Sequence, residues 1–257
     1  MSTSFIHFNG QSVHFQVIGE LKSSKTVFVL LHEALGSIGQ WKNFPNDLHT
    51  TIGFPVIIPE RTGHGLSSPL IGKRDSRYLH NYAVETLHIL QQVVLPGQEI
   101  VLVGYSDGGT IALLLAKHFP HQLKAVVTMA AHTFVEKETL SGIAPAVEAW
   151  NSGKLKGLEK YHGDKSNALF FAWADTWRAD FFRSWDIRGE IMGIQIPVLA
   201  MQGENDQYGT EAQLESIRDA AENSEIMLIP DCGHHPHIEK PEFVIYSIQN
   251  WLNKDGN

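Results

Sequence analysis

Short, mostly apolar runs recur along the chain: Phe5 to Phe8, Val13 to Ile18, Thr26 to Leu31, Val56 to Pro59, Gln98 to Tyr105, Lys124 to Met129, Pro197 to Gln202 and Glu225 to Ile229. Their length and their Val/Ile content predict a buried strand at each. The first two flank Asn9-Gly10, a hairpin signal, so the chain should open on an antiparallel pair. Helical spacing lies between later runs. Tyr78 to Val94, for example, sets Leu79, Tyr82, Leu87, Leu90 and Val94 on or near one face. Strands alternating with helices predict an α/β fold, a mostly parallel sheet with helices on both faces. The pattern changes over residues 134–193, where strand-like runs stop and helical spacing with many aromatics takes over. This stretch should be a helical cap over the strand-end rim, inserted into a core made of residues 1–133 and 194–257. Most of its aromatics read as the cap's own core, while Trp150, Trp173 and Trp177 are candidates for lining a pocket.

One segment carries chemistry directly. Gly104-Tyr105-Ser106-Asp107-Gly108-Gly109 stands between the strand ending at Tyr105 and the Ala/Leu-rich run Thr110 to Ala116. A Gly-x-Ser-x-Gly between strand and helix has the form of a nucleophile elbow. The turn is too tight for side chains at Gly104 and Gly108. The serine is presented at its tip, in front of a helix N-terminus whose dipole favours developing negative charge.

Such a serine requires a base and an acid, and at an elbow of this kind the chain order is Ser, acid, His. The strand at Pro197 to Gln202 runs into Gly203-Glu204-Asn205-Asp206, and the strand at Glu225 to Ile229 into Pro230-Asp231-Cys232-Gly233-His234-His235-Pro236-His237. An acid, Asp206, and a histidine, His234, thus each follow a strand in that order. The C-terminal ends of strands in an open α/β sheet meet at one rim. Read as a turn residue, Asp206 would bond its own backbone. The histidine run could also suggest zinc. His234, His235 and His237 are too close together, however, and no second cysteine completes the usual ligand spacing, so no metal is assigned.

Composition narrows the class. The 257 residues suffice for one substantial domain. At 43% hydrophobic and 19% charged, the chain matches a soluble globular protein. A net charge of −8 argues against a nucleic-acid partner. The first ten residues lack the basic and apolar regions of a signal peptide, and no apolar stretch is long enough to span a membrane. Cys232 is the single cysteine, so there is no internal disulfide, and it reads as a small filler beside the histidine loop. A cytoplasmic monomer or homodimer is expected, without nucleic-acid or membrane partners.

With these residues in place, the chain resembles the α/β-hydrolase superfamily over nearly its whole length. Four segments carry the resemblance: Leu30 to Ser37, Arg61-Thr62-Gly63-His64-Gly65-Leu66-Ser67, Gly104 to Gly109, and Gly233-His234 through Glu239-Lys240-Pro241-Glu242. Within the superfamily it is most similar to valacyclovirase-like (biphenyl-hydrolase-like) esterases and to meta-cleavage-product hydrolases. The elbow and Ala131-His132-Thr133-Phe134-Val135 are closer to the first group. The resemblance implies the α/β-hydrolase fold with an eight-stranded sheet. It also implies hydrolysis of small carboxylic esters through an acyl-enzyme formed on Ser106, with His234 as base and Asp206 orienting it. The oxyanion would be held by two backbone N–H groups, that of Asp107 and that of Ala34, with Leu35 as alternate. No cofactor is needed. His64 resembles a structural element of the family.

The family's usual His-Gly after the third strand is His32-Glu33 here, which puts a carboxylate beside the oxyanion loop. In the valacyclovirase-like group, the aspartate matching Asp107 recognises a substrate α-ammonium. The resemblance therefore implies a preference for α-amino acid esters, with Glu33 and Asp107 as contacts. The structural alternative is that Asp107 caps the elbow helix. Two other functions share the same motifs. One is C–C bond hydrolysis of the meta-cleavage type, which Arg178, Arg183 or Arg188 would favour if any lay near the site. The other is a ligand receptor with vestigial hydrolysis.

Overall fold

A computed structural model of the chain describes residues 2–254. Each apolar run is a strand: β1 Ser2–Phe8, β2 Gln11–Ile18, β3 Thr26–Leu31, β4 Val56–Pro59, β5 Glu99–Tyr105, β6 Leu123–Met129, β7 Val198–Gly203 and β8 Ser224–Ile229. They form one sheet in the order β1-β2-β4-β3-β5-β6-β7-β8. β1 and β2 pair antiparallel through the Asn9-Gly10 turn, where both residues adopt positive φ, as a tight hairpin demands. β2 also pairs antiparallel with β4, and every pair from there to β8 is parallel. This is the α/β fold that the residue pattern predicts and the α/β-hydrolase architecture that the resemblance implies.

The helices are α1 Phe44–Ile52, α2 Tyr78–Val93, α3 Asp107–His118, α4 Lys137–Asn151, α5 Glu159–His162, α6 Ser166–Arg178, α7 Arg188–Ile191, α8 Glu211–Ala220, α9 Pro236–Glu239 and α10 Pro241–Lys254. Alternation along the strands divides the core into two layers. On β5, Ile100 and Leu102 face one side with α2, α3 and α8, while Val101, Val103 and Tyr105 face the other with α1 and α10. Both faces are covered, so the strands read as continuous apolar runs rather than alternating ones. α10 shows how a helix is held to this sheet. Val244, Ile245, Ile248 and Trp251 recur at helical spacing and are buried. Each such aliphatic contributes about 1.5–3 kcal/mol on burial.

α2 also buries Ala83, Thr86 and Ile89, whereas Leu87, assigned by its spacing to the core face, is only partly buried. Between β6 and β7 the regular elements are helical, α4 to α7, with isolated bridges at Phe134–Asp186 and Ile194–Ala221 near the two ends of this stretch. Phe170, Trp177, Phe182 and Trp185 are buried in the same apolar cluster as α2 and α3. No helix among the described residues is long and apolar enough to cross a membrane.

Candidate active site

The parallel strands end on one rim, and the candidate residues follow those ends. Glu33 and Ala34 come after β3, Ser106 after β5, His132 after β6, Asp206 after β7 and His234 after β8. Ser106 has φ 51° and ψ −118°, a conformation that disfavours a side chain. Strain of this kind costs about 1–3 kcal/mol and persists only where the surroundings impose it. Here β5 stops and α3 starts at once, and the first ten residues of α3 are buried between sheet and helices.

Ser106 Oγ lies 3.1 Å from His234 Nε2. On the far side of the ring, Nδ1 lies 2.8 and 2.9 Å from the two Asp206 oxygens. Asp206 Oδ1 also accepts from the Tyr208 N–H at 2.9 Å. Burial alone would raise the Asp206 carboxyl; its bonds to His234 and the histidine's charge outweigh that and hold it below the usual carboxylate range. The imidazole is fixed on its faces as well. The Tyr208 ring meets it edge-on at 4.7 Å, and Tyr105 and His132 flank it at 5.5 and 6.0 Å. Of the two other histidines in the loop, His235 pairs with the Tyr105 hydroxyl and His237 is buried against Trp41 and Tyr105. Burial, with the neighbouring histidines, lowers His237 to about 3, so its ring stays neutral. Cys232 is buried in the core, where burial pushes its thiol up to about 11 and disfavours the thiolate.

The loop after β3 is pinned from three directions. The Arg61 guanidinium donates to the carbonyls of His32 and Glu33. The ring nitrogens of buried His64 lie 3.0–3.2 Å from the carbonyl oxygens of Ala34, Arg61 and Thr62, which makes it a framework residue. From the helical stretch, His162 Nε2 reaches the Leu35 carbonyl at 2.8 Å, and Lys165 Nζ donates to the carbonyls of His64, Gly65 and Ser67. Nothing in the sequence beyond residue type marks His162 or Lys165 for this role. Leu35 N–H, the alternate oxyanion donor, is already bound to Glu33 Oε2 at 2.5 Å. Among the described residues, the N–H groups of Ala34 and Asp107 have no protein acceptor.

A cavity of about 910 Å³ opens above Ser106, between the strand-end loops and helices α4 and α6. Glu33, Asp107, Trp173 and Trp177 border it, together with Tyr208 and His132. Trp150 is not on this wall. It stacks on Phe170 at 4.5 Å with ring planes 12° apart, where α4 packs against α6. The Asp107 side chain does not cap α3. It accepts from the Tyr78 hydroxyl at 3.0 Å, and that hydroxyl accepts from Trp177 Nε1 at 2.8 Å. The Arg74 guanidinium sits 4.8 Å above the Tyr78 ring. Arg178, Arg183 and Arg188 form outward ion pairs with Asp175, Asp180 and Asp186, away from the cavity wall. Glu33 is partly buried; burial raises its carboxyl to about 7, the Leu35 N–H bond works against that rise, and the nearby Asp107 adds to it.

The profile of the family described as "alpha/beta hydrolase fold" matches residues 26–177. A human protein named serine hydrolase BPHL is 26% identical over 250 residues, covering 93% of this chain and 82% of its own. A pimeloyl-[acyl-carrier protein] methyl ester esterase of Aeromonas hydrophila is 24% identical over 224 residues, covering 77% and 85%. Among solved structures, an enol-lactonase from Burkholderia xenovorans superimposes with a TM-score of 0.78 at 17% identity, covering 98% of this chain and all of its own. A serine hydrolase involved in carbazole degradation, CarC, gives 0.74 at 20%, covering 98% of both chains. These two likenesses are of fold.

Proposed function

The chain belongs to the α/β-hydrolase family, and from that premise we propose that it is a serine hydrolase cleaving small-molecule carboxylic esters through an acyl-enzyme. One observation carries this reading: the continuous hydrogen-bonded series Ser106, His234, Asp206 at the floor of a large cavity. Residues 134–193 act as the cap over that cavity, with Trp173 and Trp177 on the substrate's apolar side.

In this mechanism His234 Nε2 takes the Ser106 proton as Oγ attacks the ester carbonyl. Asp206 keeps the other ring nitrogen protonated and stabilises the imidazolium. The oxyanion receives the N–H groups of Ala34 and Asp107, each worth about 3 kcal/mol in the transition state. His234 then protonates the leaving alkoxide, and water activated by the same ring releases the acid. A cationic or neutral ester suits the cavity, which carries Glu33, Asp107 and Glu138 against Lys137. A preference for α-amino acid esters belongs to this reading. The C–C hydrolase alternative needs cations for an anionic diketone acid; among the described residues Lys137 is the one lysine or arginine bordering the cavity, and the cap arginines are engaged elsewhere.

Short-chain p-nitrophenyl esters test the assignment. Asp206→Asn should lower kcat by about 10⁴-fold, because the amide stabilises the wrong imidazole tautomer. Circular dichroism should stay unchanged. A variant within a few-fold of wild type would remove Asp206 from the mechanism.

A further inference from the structure

A carboxylate beside the nucleophile is a liability for a site that must hold an oxyanion. Asp107 directly follows Ser106, and the residue whose N–H would receive the oxyanion also carries an acidic side chain. Like charges repel most strongly where water is excluded, and Asp107 is buried. Among the described residues its carboxylate has one hydrogen bond, accepted from the Tyr78 hydroxyl at 3.0 Å. That bond has a fixed direction. Trp177 Nε1 donates to the Tyr78 oxygen at 2.8 Å, which leaves the hydroxyl proton for Asp107. Burial raises the Tyr78 phenol well above its usual range and Asp107 adds to the rise, so the hydroxyl keeps its proton. The Arg74 guanidinium over the ring works the other way and makes the hydroxyl a stronger donor.

We propose that Tyr78 is a positioning residue for ester hydrolysis: it holds the Asp107 carboxylate away from the developing oxyanion, and Trp177 sets the direction of its hydroxyl. The inference rests on the reading of this cavity as a serine ester hydrolase site. Tyr78 itself is buried and forms no part of the cavity wall, so it acts through Asp107 rather than on the substrate. The series Trp177, Tyr78, Asp107 crosses three elements, α6, α2 and α3. The helical stretch over the cavity thus reaches the oxyanion donor through a single tyrosine.

Packing holds both rings in place. The Trp177 indole meets Phe182 at 5.0 Å, His132 at 5.3 Å and Trp185 at 5.7 Å, and the Tyr78 ring meets Phe182 at 5.7 Å. Neither can turn without disturbing the apolar cluster they share. Arg61 and Arg74 add a positive field at Asp107, whose charge in turn favours theirs. A field acts over several ångströms and fixes no rotamer, whereas a hydrogen bond to a carboxylate is strong and directional. Phenylalanine at position 78 would keep the ring, leave the indole N–H without its acceptor and leave the carboxylate without its donor. The carboxylate, which borders the cavity, would then be free to turn into it.

The experiment measures steady-state hydrolysis of p-nitrophenyl butyrate and inhibition by butylboronic acid, whose adduct with a serine is tetrahedral and anionic. Tyr78→Phe should lower kcat by about ten- to a hundred-fold. KM should stay within about three-fold, and the boronic acid should bind more weakly by a factor similar to the loss in kcat. In an Asp107→Asn background the same substitution should cost less than about three-fold, because no charge is left to hold. Trp177→Phe should lower kcat in the same direction by a smaller factor, and it carries the comparison if Tyr78→Phe does not fold. A tyrosine that only stabilised the fold would lower the melting temperature and leave kcat and boronic acid affinity alone. That result, a loss confined to KM, or an equal loss in the Asp107→Asn background would each overturn the assignment while leaving the esterase reading standing. If wild type neither cleaves the ester nor binds the boronic acid, both readings fall.

Discussion

Replacing Ser106 with alanine is expected to lower kcat for a small ester by about five to six orders of magnitude. The magnitude follows from what the hydroxyl does. In the proposed mechanism it forms the covalent bond, and without it His234 has no proton to take and Asp206 no imidazolium to stabilise. What remains is the oxyanion hole and substrate binding, which together sustain about 10³–10⁴-fold over water. Adding Asp206→Asn to the Ser106→Ala variant should cost little more, because residues that act as one unit are not additive. Stability should change little. Ser106 already sits at positive φ, where alanine is no better suited, and its hydroxyl bonds only His234. Kinetics under substrate saturation and a thermal melt on the same sample separate the two effects.

The second large effect falls on folding. Gly108→Ala should destabilise the protein by more than about 4 kcal/mol, a large part of the 5–15 kcal/mol that holds a typical domain. A Cβ at this position would lie 1.9 Å from the Leu31 carbonyl oxygen and 2.7 Å from that of His32. Both are backbone atoms at the end of β3, so no side chain can swing aside. The helix would have to move off the sheet, taking Ser106 and the Asp107 N–H with it. Gly157→Ala is the control. Nothing lies within 4 Å of its Cβ, and the change should stay within about 1 kcal/mol. Urea titrations of the two variants should differ widely in midpoint. A Gly108→Ala protein as stable as wild type would mean that the elbow is not packed as described.

The strands are legible because burial on both faces leaves a plain signal, short Val- and Ile-rich runs such as Thr26 to Leu31, whereas the order that sets β4 between β2 and β3 has no such signal. Ser106, Asp206 and His234 stand out as candidates for a related reason. Each lies in the segment that follows a strand, so the topology brings Ser106 to Asp206 and His234, which stand 100 and 128 positions further along the chain. The cavity wall was harder. Trp150, Trp173 and Trp177 are alike in type and spacing, and the packing of α4 against α6 turns Trp150 onto Phe170 while leaving the other two on the wall. Asp107 shows the same limit. Its place at a helix start suggested a cap, but a tyrosine from α2 takes the carboxylate, a contact between distant segments that local sequence does not encode. His162 and Lys165 hold the loops after β3 and β4 through backbone carbonyls, which carry no sequence signature at all.

The central claim, that Ser106 is a nucleophile activated by His234, is met most directly by covalent labelling with a fluorophosphonate probe, read by intact mass and peptide mapping. One adduct per chain is expected, on the peptide that contains Ser106, slower to form in Asp206→Asn and absent in Ser106→Ala. A wild-type protein that takes no label, or a label that persists in Ser106→Ala, would contradict the account.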